Sequence, residues 1–416
     1  MILCLSLFLA ACFTGFAGDK GTLTISFGNG LPPSRLAVGS GEIADMEYEL
    51  TLEGPGMTVT RTIRGSSAAS FELAPGTWNV YVRAIGKTPL AYQDTYSLFR
   101  YIFPERMLRA LGSCDVDIQA GKSSTAAIHM KTATEVTNWE QFQKACDVFL
   151  YDGEFYGEEI FVINGTIEMG YRPWVRNGKT LTLMAEKDAM LVRGNDIMDS
   201  MFYVDEFSTL ILGRPGMKGR LTINGIKDKL EPSDSTYSII EVCQGDLVMN
   251  EGVTLTNNRN TIPSLGGGGA VYVSSGMGTF IMNGGTISNN EATGADGGGG
   301  VYVAGGSFIM KGGYITGNSA PSAFGGGGVY VDTGTFNKTG GTIYGSNAGP
   351  GLANSSYPGF PGQAVYYYKA GVNPLRRDTT AGPNIRLYAG PPGGFTTIDP
   401  STVDPDDGYE TAANWM

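Results

Sequence analysis

A chain of 416 residues is too long for one ordinary domain, and its 42% apolar content is enough to bury a sizeable core. The net charge of −11 argues against nucleic-acid partners, because phosphate binding needs a basic surface. The 62 glycines are concentrated between Gly266 and Gly362, which excludes a collagen-like repeat and points to a local glycine-rich one.

The opening run MILCLSLFLAACFTGFA carries no charge. It is too short to span a bilayer as a helix but suits the apolar core of a signal peptide. Within it, Leu9-Ala10-Ala11-Cys12 resembles the bacterial lipobox, although no Lys or Arg lies upstream. The resemblance implies that Cys12 is acylated, that residues 1–18 are signal and anchor, and that the chain meets the membrane through this lipid. Beyond the signal, Cys114, Cys146 and Cys243 are odd in number and irregularly spaced. They allow at most one bridge and no zinc cluster, and read as small buried hydrophobes.

Residues 19–131 contain short alternating runs separated by Gly, Pro and Ser: GTLTISF, MEYELTLEG, MTVTRTI, ASFEL, TWNVYVRAI, CDVDI and TAAIHM. This spacing predicts an antiparallel β-sandwich. The segment from Phe71 to Val82, with Pro75-Gly76 at a tight turn before an alternating strand, resembles immunoglobulin-like and prealbumin-like bacterial surface modules. Gln93 to Ala110 reads as an insertion holding a short helix. TNWEQFQKAC, residues 137–146, predicts an amphipathic helix capped by Thr137 or Asn138, with Trp139, Phe142 and Ala145 or Cys146 on one face.

From Val148, strands succeed one another without hairpin signals, and then a repeat becomes explicit. A glycine-rich run, Val-Tyr-Val, a small turn, Phe-Ile-Met, Gly-Gly, Thr-Ile and Asn recur, with Val-Tyr-Val starting at Val271, Val301 and Val329. Residues 238–258 are a degenerate earlier copy, and Ala364-Val365-Tyr366 begins a decayed last one. A β-propeller would need four strands per unit and hairpin turns, which are missing. Three strands per coil, each pairing in parallel with its equivalent about 4.8 Å away, account for the pattern. Val271, Val301 and Val329 then form one inner ladder, Phe280, Phe308 and Phe336 a second, and Ile287, Ile315 and Ile343 a third. Met282 and Met310 flank the Phe ladder until Lys338 takes their place, which suggests a core that narrows or opens there. Asn258, Asn290, Asn318 and Asn347 should bond along the axis, and the doubled glycines at 284–285, 312–313 and 340–341 should turn corners. The helix at 137–146 would cover the open N-terminal end.

These residues resemble the pectin-lyase-like, right-handed parallel β-helix repeats of bacterial surface proteins, and are loosely similar to those of polymorphic outer-membrane proteins. The expected fold is all-β: a sandwich over 19–131, a right-handed parallel β-helix with an N-terminal capping helix over 132–392 (clear repeats 238–348), and a tail over 393–416.

The resemblance raises polysaccharide lyases and hydrolases, which need paired carboxylates with basic partners or a Ca²⁺-binding cluster. The lone histidine, His129, falls in the N-terminal domain, and Glu291, Asp296 and Asp332 are isolated in different coil positions. Asp404, Asp406 and Asp407 lie in a Pro-rich tail, read as solvated. Asp188, Asp196, Asp199, Asp205, Arg193 and Arg214 could converge in the earlier coils, but form no motif. GADGGGG matches neither a calcium-binding β-roll nor a phosphate loop and reads as a flexible turn. No catalytic set, metal site or cofactor is therefore assigned. The middle residue of each Val-Tyr-Val should point outward, giving an exposed ladder of Tyr272, Tyr302, Tyr330 and Tyr366 that could stack on sugar rings or contact a protein, although tyrosine is first of all a good outward-facing strand residue with no further role. The expectation is a non-enzymatic cell-surface structural or binding protein, an adhesin or glycan binder, secreted to the cell envelope and held at an outer membrane or cell surface by lipid. Its partners would be a glycan or a host or cell-surface protein. The alternative is a pectin-lyase-like polysaccharide lyase or glycoside hydrolase. An autotransporter passenger fits less well, since the sequence shows no terminal series of barrel strands.

Overall fold

A computed structural model describes residues 20–27, 46–66, 68–87, 90–93, 100–103, 107–151, 156–195, 197, 199–229, 236–262, 267–274, 276–294, 296–321, 324–345, 348–358, 364–367, 375–377 and 385–387. The lipobox with Cys12, Asp196, Asn347 and the acidic run Asp404, Asp406 and Asp407 lie outside these residues. The chain divides into two compact units, one made of residues 1–90 and 104–132, the other of 91–103 and 133–416.

The first unit is a sandwich. Alternation in GTLTISF buries Leu23, Ile25 and Phe27, and in MEYELTLEG it buries Tyr48, Leu50 and Leu52, so each strand offers one apolar face. One sheet pairs Gly21–Phe27 with Ala68–Leu73 and Ser123–Ile128, and the other orders Met57–Arg64, Met46–Gly54, Gly76–Gly86 and Met107–Ile118. The inner faces share one core around Trp78, whose indole nitrogen donates to the Ala74 carbonyl at 2.9 Å. The pairing is antiparallel except between the first and last strands, Gly21–Phe27 and Ser123–Ile128, which run parallel. In the predicted insertion the described residues form strands rather than a helix. Leu90–Gln93 pairs with Arg100–Phe103, and residues from Met107 onward extend the long strand opposite Gly76–Gly86.

In the second unit, Ala133 to Val136 pair in parallel with Ile160 to Ile163, and the helix Trp139–Leu150 follows them. Asn138 Oδ1 accepts from the Gln141 amide at 3.0 Å, so Asn138 rather than Thr137 is the cap, and the Gln141 side chain accepts in return from the Thr137 amide at 2.9 Å. The helix runs one turn further than its sequence signal because Val148, Phe149 and Leu150 are also buried. Its inner face packs with Phe161, Ile163, Ile167 and Met169 of the first coil, so it covers the apolar end of the strand stack.

That stack is a parallel β-helix. Among the described residues three long ladders run through it, here called the Tyr, Phe and Ile sheets after the residues of the clear repeats. In the Tyr sheet, Val271↔Val301↔Val329↔Val365 are in register; in the Phe sheet, Phe280↔Phe308↔Phe336; in the Ile sheet, Ile287↔Ile315↔Ile343. All these side chains are fully buried in one continuous core. The Phe rings stack at 4.7 and 5.0 Å between centroids. Each buried aromatic of this kind contributes roughly 1.5–3 kcal/mol of burial energy, so every added coil extends the core in equal steps.

The later coils hold more than the three strands expected. Arg259–Asn260, Glu291–Ala292, Ser319–Ala320 and Ser355–Ser356 form a fourth ladder, and Gly267–Gly268, Asp296–Gly298 and Phe324–Gly326 a fifth. Part of each glycine-rich run is thus strand rather than turn, over Gly267–Gly268, Asp296–Gly298 and Phe324–Gly326. Their glycines are needed for close approach: a Cβ on Gly298 would lie 1.8 Å from the Val301 carbonyl oxygen, and one on Gly268 1.8 Å from that of Val271. The second glycine of each Gly-Gly corner, Gly285, Gly313 or Gly341, has φ between 75 and 86°.

The asparagine ladder is Asn258, Asn290, Asn318 and Asn354. Asn354, from a longer final turn, continues it, accepting from the Asn318 amide at 2.8 Å. Lys338 is fully buried at the end of the Met ladder, and its Nζ donates to the Gly341 carbonyl at 2.8 Å. There the parallel stacking stops: Ile385–Leu387 pairs antiparallel with Thr335–Lys338, and Leu375–Arg377 with Val365–Tyr367.

Candidate functional site

The outward face of the Tyr sheet carries a single row of residues held one coil apart. In register it reads Trp174, Tyr203, Glu241, Tyr272, Tyr302, Tyr330 and Tyr366. Each sits between two core residues or beside one, as in Phe202-Tyr203-Val204 and Ile240-Glu241-Val242, so alternation alone turns it away from the interior.

The tyrosine ladder is not exposed along its length, as the sequence suggested. Tyr302, Tyr330 and Tyr366 retain only 5, 3 and 4% of their accessible surface, and Tyr272 alone of the four is half-buried. In-register parallel strands place identical rings face to face: Tyr272 and Tyr302 stack at 5.3 Å, Tyr302 and Tyr330 at 5.0 Å, and Tyr330 and Tyr366 approach at 5.4 Å. Ring covers ring, and three of the four tyrosines are buried.

The open part of the row lies where Glu241 interrupts it. Trp174 and Tyr203 meet edge to face at 5.6 Å on one side of the break, and Tyr272 begins the stack on the other. All four residues are half-buried. The Arg172 guanidinium lies 4.9 Å over the Tyr203 ring and bonds Asp199 at 2.8 Å; Arg176 lies 4.9 Å over Trp174. Burial pushes the Glu241 carboxyl up. Arg172 opposes that shift, the charges of Asp199 and Asp205 add to it, and a hydrogen bond with Ser274 opposes it. Tyr272 is raised to about 12, first by burial and then by the charge on Glu241, and Tyr203 is raised by burial and a hydrogen bond with Cys243. One Asp205 oxygen is buried without a hydrogen-bond partner.

Of the residues expected to converge in the early coils, the structure brings Asp199 and Asp205 to Glu241. Arg193 is structural: it is buried, donates to the carbonyls of Ile197, Asp199, Tyr237 and Ser238, and donates to Asn258 Oδ1 at 3.1 Å, terminating the asparagine ladder. Burial lowers it to about 10. Asp188 accepts from the Arg220 amide at 2.9 Å on an exposed turn. Glu291 pairs with Arg259 at 3.4 Å, Asp332 lies near Tyr272, and His129 is exposed in the first unit. Cys146 is fully buried, whereas Cys114 and Cys243 are only half-buried, and none of the three is in a disulfide. Among the described residues no group of three or more His, Cys, Asp and Glu is placed to hold a metal ion.

Glu241, Arg172, Trp174 and Tyr203 had no motif to announce them. The signal was in the sequence all the same: aligning Ile240-Glu241-Val242 and Phe202-Tyr203-Val204 on Val271-Tyr272-Val273 puts Glu241 and Tyr203 into the tyrosine column. What the arrangement offers is a polar, acid-lined break between aromatic platforms. No family model, no curated protein and no solved structure matches the chain.

Proposed function

We propose that this is a non-enzymatic binding or structural protein of the cell surface, tethered by a lipid on Cys12, that holds a glycan against the outer row of its β-helix. The observation that carries the reading is the aromatic row broken at Glu241. Trp174, Tyr203 and Tyr272 offer apolar ring surface, while Glu241, Asp199 and Arg172 offer hydrogen-bond partners for hydroxyls. Sugar recognition uses such pairs of apolar faces and fixed polar groups. A glycan array with the chain from residue 19 onward tests it. Binding that weakens in Tyr203→Ala and Tyr272→Ala supports it, and an array without any retained glycan overturns it. Loss of fatty-acid labelling in Cys12→Ser tests the anchor, and labelling that persists removes it.

One observation favours a second reading. A carboxyl pushed up by burial beside further carboxylates and an arginine is the kind of group that holds a proton for acid–base chemistry. Under this reading the chain cleaves polysaccharide, and a cleavage screen run beside the array would detect products that vanish in Glu241→Gln.

A further inference from the structure

The turn that leaves the Tyr sheet for the Phe sheet has its own outward column. Registers Gly157↔Lys179, Thr180↔Thr209, Thr209↔Asp246 and Asp246↔Thr279 align the residues just before them as Tyr156, Gly178, Phe207, Gln244 and Met277. Large apolar side chains therefore alternate with small or amide residues along the axis. Tyr156, Phe207 and Met277 are 76, 73 and 55% exposed, among the most exposed large apolar side chains described. Gly178 makes room for its neighbour: a Cβ there would lie 2.6 Å from the Tyr156 ring.

The backbone is strained to present these rings. Tyr156 has φ 66°, and Glu206 and Phe207 are consecutive at φ 50° and 59°, a region that side chains other than Gly, Asn and Asp rarely adopt. Hydrogen bonds hold the turns in place, from the Tyr156 amide to Asn177 O at 2.7 Å, from the Phe207 amide to Gln244 O at 2.9 Å, and from the Asn177 amide to Glu206 Oε2 at 3.1 Å. Glycine or asparagine would fill such positions without strain, so the exposed rings need a reason outside the fold.

We propose that Tyr156, Phe207 and Met277 form a track for an extended β-1,4-linked polysaccharide lying along the helix axis. Two coils advance about 9.6 Å, slightly less than the length of two pyranose units of such a chain. Each platform then meets every second sugar, and the side chain of Gln244 reaches the hydroxyls of the one between. Phe207 lies four residues after Tyr203, so the track runs beside the row of the proposed glycan site. The inference rests on that reading and gives it a ligand class and a direction.

Affinity gels of the full-length protein containing a soluble β-1,4-glucan, with α-linked dextran as the comparison, test it. The expected result is retardation by the β-linked polymer that falls several-fold in Phe207→Asn and further in Phe207→Asn with Tyr156→Ala. Phe207→Asn keeps a residue that tolerates the left-handed turn, so thermal melting should stay level or rise. Unchanged retardation in the double variant, or equal retardation by dextran, overturns the track and leaves the glycan reading standing. No glycan retained on either gel or on the array overturns both.

Discussion

Asn290 Nδ2 donates to Asn318 Oδ1 at 3.0 Å with both side chains fully buried, and the Asn290 backbone amide uses the same oxygen at 3.0 Å. The full unit repeats from Asn318 to Asn354, and Asn258 keeps the backbone half: its amide donates to Asn290 Oδ1 while its Nδ2 donates to the Tyr237 and Gly269 carbonyls. Each amide oxygen thus satisfies a backbone donor in the preceding coil, at a corner where no sheet bond is available. Arg193 ends the series by donating to Asn258 Oδ1.

Replacing Asn318 by Leu removes that acceptor and also the donor to the Ile287 carbonyl. Buried groups on two coils lose their partners, at a cost of about 2–5 kcal/mol. Urea unfolding should show a lower midpoint. A midpoint equal to wild type would mean that water or a backbone shift replaces the ladder.

Gly298→Ala places a methyl 1.8 Å from the Val301 carbonyl oxygen, against backbone that cannot move aside. The variant should lose folded yield or melt well below wild type. Gly349→Ala, where nothing lies within 4 Å of the added carbon, serves as the comparison and should remain near wild type. Similar melting of the two variants would refute the close-approach account of the glycine strands.

Tyr302 and Tyr272 should separate packing from contact. Tyr302→Ala empties the middle of a buried stack and should cost roughly 2–4 kcal/mol. Tyr272→Ala removes a half-buried ring at the break and should cost less stability but more glycan retention. Paired melting curves and affinity gels read both quantities; equal effects of the two variants on retention would contradict the assignment.

Glu159 points into the first coil. Its Oε1 accepts from Thr134 at 3.0 Å, its Oε2 has no partner, and burial raises it to about 8. A folded value above the unfolded one stabilises most below the ordinary carboxylate range. That contribution is lost as pH rises towards 8, with a slope of at most about 1.4 kcal/mol per pH unit. Glu159→Gln should flatten the loss between pH 5 and 8 (about the span of the two values). Denaturation midpoints across that range that fall equally in both proteins would assign the slope to another group.

The parallel β-helix was legible because its period is written in residues. Val271, Phe280 and Ile287 recur at fixed offsets, and parallel pairing stacks equal positions whatever the surroundings. The helix cap at Asn138 and the sandwich alternation are equally local signals. Exposure was not legible, because it depends on what lies one coil away. Tyr302 is hidden by Tyr272 and Tyr330, residues 30 and 28 positions distant in the chain. The order of the glycine strands and the place of Asn354 in its ladder likewise depend on close approach between coils. Most of all, the break at Glu241 exists only in register: among neighbours in sequence it is an ordinary glutamate, and among neighbours in space it divides an aromatic row. Sequence set which residues repeat; the one-coil stacking distance decided which of them remain open to a partner.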